Sequence, residues 1–339
     1  MTPPLRLAIV GLGYWGPNLA RSLARAGDLA WLCDLSPENR ERYGALYPEA
    51  RVTPDLDEVL ADESLDAVAI ATSVPTHHAL GMRVLAAGKH LFVEKPLALS
   101  TAEAKDLAEA ADAADRRLMV GHLLLFHPGL RKVKALIDSG ELGKLHYLYG
   151  NRQNLGVVRA NENALWSLGA HDIAVLLDLI GERPVEVQAS GACYIRPGIQ
   201  DVVFGYLTFP SGVVAHLHLS WLDPHKMRKL TVVGSDKMVV FDDMESERKV
   251  TVYDKGVNLP QADAFLESVG VRYGDISVPR IPTTEPLRLE VEEFVAAIRE
   301  NRAPVADGHS GVAVVEVLEG LQRSLDEGGR VVTLETAAV

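Results

Sequence analysis

Cysteine is almost absent from this sequence. Its 339 residues include two cysteines, Cys33 and Cys193, which lie far apart in the chain. Two isolated thiols support neither a disulfide framework nor a cysteine-rich zinc site. We therefore expect both cysteines to be small residues of the hydrophobic core.

Positive charge and long apolar runs are also scarce. The chain has 34 Lys and Arg against 46 Asp and Glu, which argues against a nucleic-acid partner because phosphates require clustered cations. No apolar stretch approaches the roughly 18 residues of a membrane span. A strand-like run begins by Leu5 and leaves no room for an export signal. These absences predict a cytoplasmic protein with no membrane partner.

What the sequence does contain is typical of a globular protein with two domains. Its composition is ordinary, and its length exceeds what one hydrophobic core usually covers. Up to about Gly121, short apolar runs alternate with helix-patterned stretches, as in the βαβ units of a parallel sheet. The predicted strands are 5–10, 29–33, 67–71, 90–93 and 118–120, and the predicted helix is 101–114, with Ser100 as its N-cap.

After Pro128 the pattern changes to that of a mostly antiparallel open sheet with helices on one face. The predicted helices there are 129–139 and 165–180, and the predicted strands are 145–151, 185–192, 202–208, 213–221, 229–233 and 238–242. Residues 258–286 are expected to form an irregular connecting arm. Two closing helices, 287–300 and 310–324, are expected to pack back towards the first domain. The sequence therefore predicts an α/β domain over residues 1–122 and an α+β domain over 123–339.

A glycine-rich segment follows the first predicted strand. Residues 11–16 fit the pattern G-x-G-x-x-G, with Gly11, Gly13 and Gly16 as the glycines and Tyr14 and Trp15 between them. Glycines at this spacing let the backbone approach a pyrophosphate at the start of a helix, although a simple turn would also use them. The first domain is thus predicted to be a doubly wound Rossmann domain.

An acidic residue closes the second predicted strand. Asp34 lies 23 positions after Gly11, where a carboxylate accepts hydrogen bonds from the ribose diol of NAD and repels the 2′-phosphate of NADP. The alternative role for Asp34 is to cap the turn that follows it. NAD is therefore the predicted cofactor.

Further motifs resemble the glucose-fructose oxidoreductase and inositol dehydrogenase family, also called Gfo/Idh/MocA. They are Glu94-Lys95-Pro96 and residues 71–77, 121–122, 126–128 and 168–172, in the family's order. The resemblance implies that Lys95 contacts the substrate hydroxyl and the nicotinamide ribose, and that His171 is the acid or base. It also implies cofactor contacts from Thr72, Ser73, Pro75, His77 and Glu94. Ser167 stands where many members have an aspartate, so a Lys-Asp-His triad is not carried over.

The chemistry of Lys95 and His171 suits alcohol oxidation. The hydroxyl proton must leave as hydride departs from the carbon, and an imidazole is suited to accept it. A lysine cation stabilises the developing alkoxide. Surface or structural roles for both residues are the alternative. His171-Asp172 also resembles a metal-ligand pair. Because no third ligand accompanies it at a spacing typical of a metal site, we predict no metal.

The segment between Arg152 and Trp166 resembles the family branch that acts on nucleotide-linked sugars in polysaccharide biosynthesis. The candidate substrate contacts are Arg152 and Arg159 for a diphosphate, Asn154 and Asn163 for sugar hydroxyls, and Trp166 as an apolar wall. The favoured reaction is oxidation at carbon 3 of a UDP-linked N-acetylhexosamine or uronate. A solvated loop is the alternative for this segment. For the whole protein, the alternatives are a free polyol or inositol dehydrogenase and a non-catalytic dinucleotide sensor.

The predicted open sheet also bears on assembly. An antiparallel sheet with helices on one side leaves a second face that a soluble chain must cover. We therefore expect a homodimer or homotetramer formed through the second domain, as the family resemblance also implies.

Overall fold

The computed structural model describes residues 3–156, 158–159, 162–258 and 270–334. Its contacts divide the chain into two compact units. The first contains Met1–Phe126 and Thr284–Glu316, and the second contains His127–Thr283 and Val317–Val339. The chain therefore leaves the first unit after Phe126 and returns to it at Thr284, whereas the sequence suggested one boundary after residue 122.

The first unit is built on a parallel sheet of six strands. These are β1 (Arg6–Val10), β2 (Asp28–Cys33), β3 (Arg51–Thr53), β4 (Ala67–Ile70), β5 (His90–Glu94) and β6 (Leu118–Gly121). Their order is β3-β2-β1-β4-β5-β6, so the order reverses between β1 and β4. Because all neighbours are parallel, every strand ends at the same edge, which is where doubly wound sheets bind their ligands. The predicted Rossmann fold is confirmed.

Helices follow the strands of this unit. They are α1 (Gly16–Ala26), α2 (Pro37–Leu46), α3 (Leu56–Leu60), α4 (His77–Ala86), α5 (Thr101–Ala113) and α8 (Pro286–Arg299), together with the first half of α9 (Gly308–Asp326). The predicted N-cap is confirmed, because the Ser100 hydroxyl accepts a hydrogen bond from the Glu103 amide. Helix α8 is held by its apolar stripe, in which Leu287, Val291 and Phe294 join the core of the first unit. This burial explains why the chain returns there.

The second unit contains a mixed, mostly antiparallel sheet. Its strands are β7 (Leu145–Gln153), β8 (Glu186–Ala192), β9 (Val202–Thr208), β10 (Val214–Ser220), β11 (Met227–Gly234), β12 (Met238–Asp242), β13 (Val250–Asn258), β14 (Gly270–Ser277) and β15 (Val332–Thr333). Their order is β14-β13-β12-β11-β7-β10-β9-β8-β15, and the β7–β10 pair is parallel. The unit's helices include α6 (Pro128–Asp138) and α7 (Ala170–Ile180), the latter preceded by a π-helical turn over Leu165–Gly169.

Two expectations from the sequence are wrong. The stretch 258–286 is not wholly irregular, because β14 lies within it and pairs with β13; residues 259–269 lie outside the described residues. Nearly every residue of β14 is exposed, so its sequence lacks the apolar periodicity that marks a half-buried strand. Cys33 is buried as expected, but Cys193 is exposed. Within the described ranges, no helix has the length and apolar content needed to cross a membrane.

Candidate active site

The glycine-rich loop joins β1 to α1 in the first unit. Gly11 has a φ of 95°, and a side chain there would lie 2.8 Å from the backbone of Ala71. A Cβ on Gly16 would lie 2.0 Å from the Gly11 carbonyl oxygen. Gly13, in contrast, faces open space, with nothing within 4 Å of its ideal Cβ position. Two glycines therefore close the turn tightly and the third leaves a cradle at the helix start, which fits a dinucleotide pyrophosphate.

The two aromatic residues of this loop differ in their surroundings. Tyr14 is 91% exposed and is free to contact a ligand above the loop. Trp15 is half-buried, and its side chain is hydrogen bonded to Glu94. The loop is therefore tied to the end of β5 through Trp15.

Asp34 lies at the end of β2, beside the glycine loop. Its carboxylate accepts hydrogen bonds from the backbone amides of Leu12 and Ser36, at 2.5 and 2.7 Å, and from the side-chain amide of Asn39. These donors fix the carboxylate at the carboxyl edge of the sheet, where it can receive a ribose diol. Asp34 thus orders the loop as well as forming part of the predicted ribose site.

A short loop after β4 contains Thr72, Ser73 and Pro75 and leads into α4 through a 3-10 turn. The buried His77 ring closes it, with its nitrogens 3.0 Å from the Pro96 carbonyl oxygen and 3.2 Å from that of Thr72. Burial lowers the pKa of His77, so the ring is neutral and donates one of these bonds. In the described structure His77 joins two loops of the site.

Strand β5 ends at Glu94, and Lys95 follows it at the same edge of the sheet. Burial raises the pKa of Glu94 to about 7, against the opposing effects of the Lys95 charge, the Lys95 amide and the Trp15 side chain. His122 follows β6 and is 1% exposed, and burial together with the Lys95 charge lowers its pKa to about 3. The charge of Lys95 therefore acts on two buried groups. One is a carboxyl group that titrates near neutral pH, and the other is an imidazole that stays neutral.

His171 lies in the second unit, in the first turn of α7. Asp172, the next residue, forms an ion pair with Arg152 of β7, in which the Arg152 Nε and Nη2 atoms both donate to the carboxylate. This two-point contact ties the helix to the sheet at the position of His171. Ser167, one turn earlier, is buried.

A network of amide side chains holds the start of the same helical segment. Asn163 donates to Gln200 and Gln322, each at 2.8 Å, and accepts a bond from the Trp166 amide. The Trp166 indole N–H also donates to Gln322, at 3.2 Å. The hydrogen-bonding groups of Asn163 are therefore already engaged. The sequence did not single out Gln200 or Gln322, because their partners lie far away in the chain.

The remaining predicted substrate residues precede this network. Asn154 follows β7, and its backbone amide donates to the Ser220 carbonyl oxygen at 3.1 Å. The Arg159 side chain is about half exposed and forms an ion pair with Glu162, with an Nε–Oε1 distance of 3.0 Å. Residues 157, 160 and 161 lie outside the described residues.

Both parts of the chain match models of one protein family. Residues 5–122 match an oxidoreductase family with an NAD-binding Rossmann fold, GFO_IDH_MocA. Residues 130–240 match the GFO/IDH/MocA C-terminal domain. Together the two matches cover well over half of the chain.

Individual relatives extend over nearly its full length. The UDP-N-acetylglucosamine 3-dehydrogenase of Acidithiobacillus ferrooxidans is 28% identical over 92% of this chain and 94% of its own length. The myo-inositol 2-dehydrogenase of Thermotoga maritima is 25% identical over 95% of this chain and 97% of its own.

Solved structures agree with the fold. The structure of the Acidithiobacillus enzyme has a TM-score of 0.82 at 25% identity and covers 96% of this chain and 98% of its own. GenD2 from gentamicin A biosynthesis, in complex with NAD, has a TM-score of 0.82 at 26% identity. The match covers 99% of this chain and 98% of GenD2. With the glycine cradle and Asp34, these matches establish NAD as the cofactor. The chain is therefore an NAD-dependent oxidoreductase and belongs to the GFO/IDH/MocA family.

Proposed function

We propose that this protein oxidises carbon 3 of a UDP-linked N-acetylhexosamine or uronate, with Lys95 and His171 acting on the reacting hydroxyl. The observation that carries the proposal is the presence of a dinucleotide cradle and Lys95 at the same carboxyl edge of one parallel sheet. The similarity to a UDP-N-acetylglucosamine 3-dehydrogenase over most of the chain supports the substrate class. The cytoplasmic location stays a prediction from the sequence.

The roles of the two residues follow from the charge changes in the reaction. Bound NAD supplies the hydride acceptor. The Lys95 ammonium stabilises the negative charge that develops on the substrate oxygen, and His171 takes the hydroxyl proton as general base. In the reverse direction the same residues stabilise and protonate the oxygen of a ketone.

We assign binding of the substrate diphosphate to Arg159. The ion pair with Asp172 engages Arg152, which we therefore assign to anchoring α7. Arg159 keeps an exposed side chain in the segment that leads to His171, and its partner Glu162 can be displaced by a stronger anion. Asn154 remains the proposed sugar contact from this segment, whereas Asn163 and Trp166 hold the helix start.

Replacing Arg159 should separate binding from chemistry. Arg159→Ala should raise KM for a UDP-sugar about fivefold to tenfold with little change in kcat, because a charge-assisted bond is lost in both ground and transition states. Steady-state kinetics measures this. Arg248→Ala is the matched control, since Arg248 is also exposed and pairs with a glutamate three residues away. An unchanged KM for Arg159→Ala would move the diphosphate site elsewhere.

A free polyol or inositol is the second candidate substrate, favoured by the similarity to inositol dehydrogenases. NADH formation should be compared for UDP-sugars and free inositols at equal concentrations. A higher kcat/KM for the UDP-sugars is expected, and a preference for free inositol would replace the first proposal. The non-catalytic sensor is set aside, because the family and the named relatives are oxidoreductases.

The Asp34 contacts predict a measurable cofactor preference. NAD should bind more tightly than NADP, and Asp34→Ala should lower NAD affinity roughly tenfold to hundredfold, narrowing that preference. Calorimetry on the free protein tests this. Asp28→Ala, at the other end of β2, is the control. Equal affinity of the unmodified protein for both cofactors would contradict the role of Asp34.

We also propose assembly through the second unit. Phe204 and Tyr206 of β9 and His216 and His218 of β10 lie on one face of the sheet, and Phe204 stacks on His218 with ring centroids 4.5 Å apart. Phe204 and Tyr206 are exposed, whereas the alternate residues of both strands are buried. An aromatic face of this kind is suited to pack against a second copy.

A charge in this outer sheet face should disrupt the assembly. Tyr206→Lys should shift a homodimer or homotetramer towards monomer, because it places a cation in an apolar contact. Light scattering at micromolar concentration measures the change. Tyr194→Lys is the control, since Tyr194 is exposed outside the strands. A monomeric unmodified protein would contradict the proposal.

A further inference from the structure

A second carboxyl group lies beside Glu94 within the first unit. Glu290 is on α8 and is 1% exposed, and its Oε1 atom has no hydrogen-bond partner among the described residues. A glutamate so completely buried is unusual, because the charged form loses its hydration. The position of Glu290 therefore requires an explanation.

The packing of α8 on β5 explains how the two carboxyls meet. Phe92 and Glu94 share one face of β5, because side chains alternate along a strand. Glu290 and Phe294 lie one turn apart on α8. The rings of Phe92 and Phe294 are in edge-to-face contact, with centroids 5.7 Å apart. This contact brings α8 against β5 one turn from Glu290, and the charge of Glu94 acts on Glu290.

Within the described residues, little positive charge is available to balance ionised carboxylates at both Glu94 and Glu290. Gly121 has no side chain, and a Cβ there would lie 2.9 Å from a Glu94 carboxylate oxygen. His122, on the neighbouring strand end, has no hydrogen-bond partner at either ring nitrogen among the described residues and is neutral. Within the described residues, the charge of Lys95 acts on both Glu94 and His122, and the charge of Glu94 acts on Glu290. One cation beside two buried carboxyls favours a single ionised member.

We propose that Glu290 is a positioning residue of the oxidoreductase site, which stays a neutral carboxylic acid and shares its proton with Glu94, so that the pair carries at most one negative charge beside Lys95. Burial, followed by the charge of Glu94, raises the pKa of Glu290 well above its ordinary value, which identifies Glu290 as the protonated member. The inference rests on the proposed function in that Lys95 lies at the reacting end of the site.

The charge of the pair sets the pH dependence of cofactor binding. Below pH 7 Glu94 is protonated and the pair is neutral, whereas above it Glu94 is ionised. An ionised Glu94 attracts the cationic nicotinamide of NAD more than the neutral ring of NADH. The affinity for NAD relative to NADH should therefore rise about threefold to tenfold between about pH 6 and pH 8.

The same shift predicts an effect on stability. The pKa of Glu94 in the folded protein, about 7, is above the ordinary value of 4.5. Its contribution to the free energy of unfolding is therefore fully present below about pH 4.5 and is lost as the pH rises through 7.

Infrared spectroscopy of the cofactor-free protein tests the protonation of Glu290 directly. At about pH 8 the unmodified protein should show the C=O band of a protonated carboxylic acid, and Glu290→Gln should remove that band. Glu292→Gln is the matched control, because Glu292 is an exposed carboxylate on the same helix. Absence of the band in the unmodified protein, or its persistence in Glu290→Gln, would overturn the proposal. Neither outcome depends on the sugar substrate, so failure of the proposed function is a separate result.

Cofactor titrations test the positioning role. Glu290→Gln keeps a neutral hydrogen-bonding partner for Glu94 and should keep the rise in relative NAD affinity near pH 7. Glu290→Met keeps the volume but removes the partner, so ionisation of Glu94 and the rise in affinity should move to higher pH by about one unit or more. A Glu290→Met profile identical to that of the unmodified protein would show that Glu290 does not act through Glu94.

Discussion

Replacing His171 with asparagine should lower kcat about 100-fold or more while leaving NAD affinity nearly unchanged. Asparagine keeps much of the shape and polarity of the side chain but cannot accept the hydroxyl proton as hydride leaves. The limb of the pH profile that reports the base should disappear with it. Because the ion pair between Asp172 and Arg152 is unaffected, α7 should keep its position on the sheet.

Stopped-flow kinetics and NAD titration separate these effects. His309→Asn is the control, since His309 is an exposed histidine whose side chain pairs with Asp112. Near-normal turnover of His171→Asn with an unchanged pH profile would exclude His171 as the base, and Lys95 would become the first candidate.

Replacing Lys95 with methionine should be at least as damaging as His171→Asn, with kcat lowered about 10²-fold to 10³-fold. Methionine preserves most of the side-chain volume but removes the cation that stabilises the developing alkoxide. In the unmodified protein, the Lys95 charge opposes the effect of burial on Glu94. Loss of that cation should therefore also raise the pKa of Glu94.

Kinetics of the single and double variants measure the coupling of the two residues. If Lys95 and His171 act on the same oxygen, the double variant should be far less impaired than the product of the single effects predicts. Lys105→Met controls for loss of an exposed lysine in the first unit. Fully multiplicative effects would indicate that the two residues act in separate steps.

The first sheet was predictable because its central strands are buried on both faces. Residues 67–70 and 90–93 are short, nearly continuous apolar runs, as parallel strands require, and the structure confirms them as β4 and β5. The strand β3 was missed because only three residues form it. The strand β14 was missed because Val271 and Tyr273 are exposed side chains of an edge strand, which needs no buried face.

The candidate site was predictable where close spacing along the chain defines the chemistry. The glycine loop is such a case, because three nearby residues form one turn. The ion pair between Arg152 and Asp172 was not predictable, since it depends on how α7 packs on β7. Glu290 did leave a signal, because it lies within the apolar stripe that contains Leu287, Val291 and Phe294. A glutamate in such a stripe points to a buried acid, but its partner emerges only from the packing.

The most direct test of the central claim is the fate of the hydrogen on carbon 3 of the sugar. The protein should be incubated with NAD and a UDP-linked N-acetylhexosamine that carries deuterium at carbon 3. Mass spectrometry should then find that deuterium in the reduced nicotinamide, with a 3-keto sugar as the other product. Reduced nicotinamide without deuterium, or no reduction with this substrate while a free inositol is oxidised, would contradict the proposed reaction.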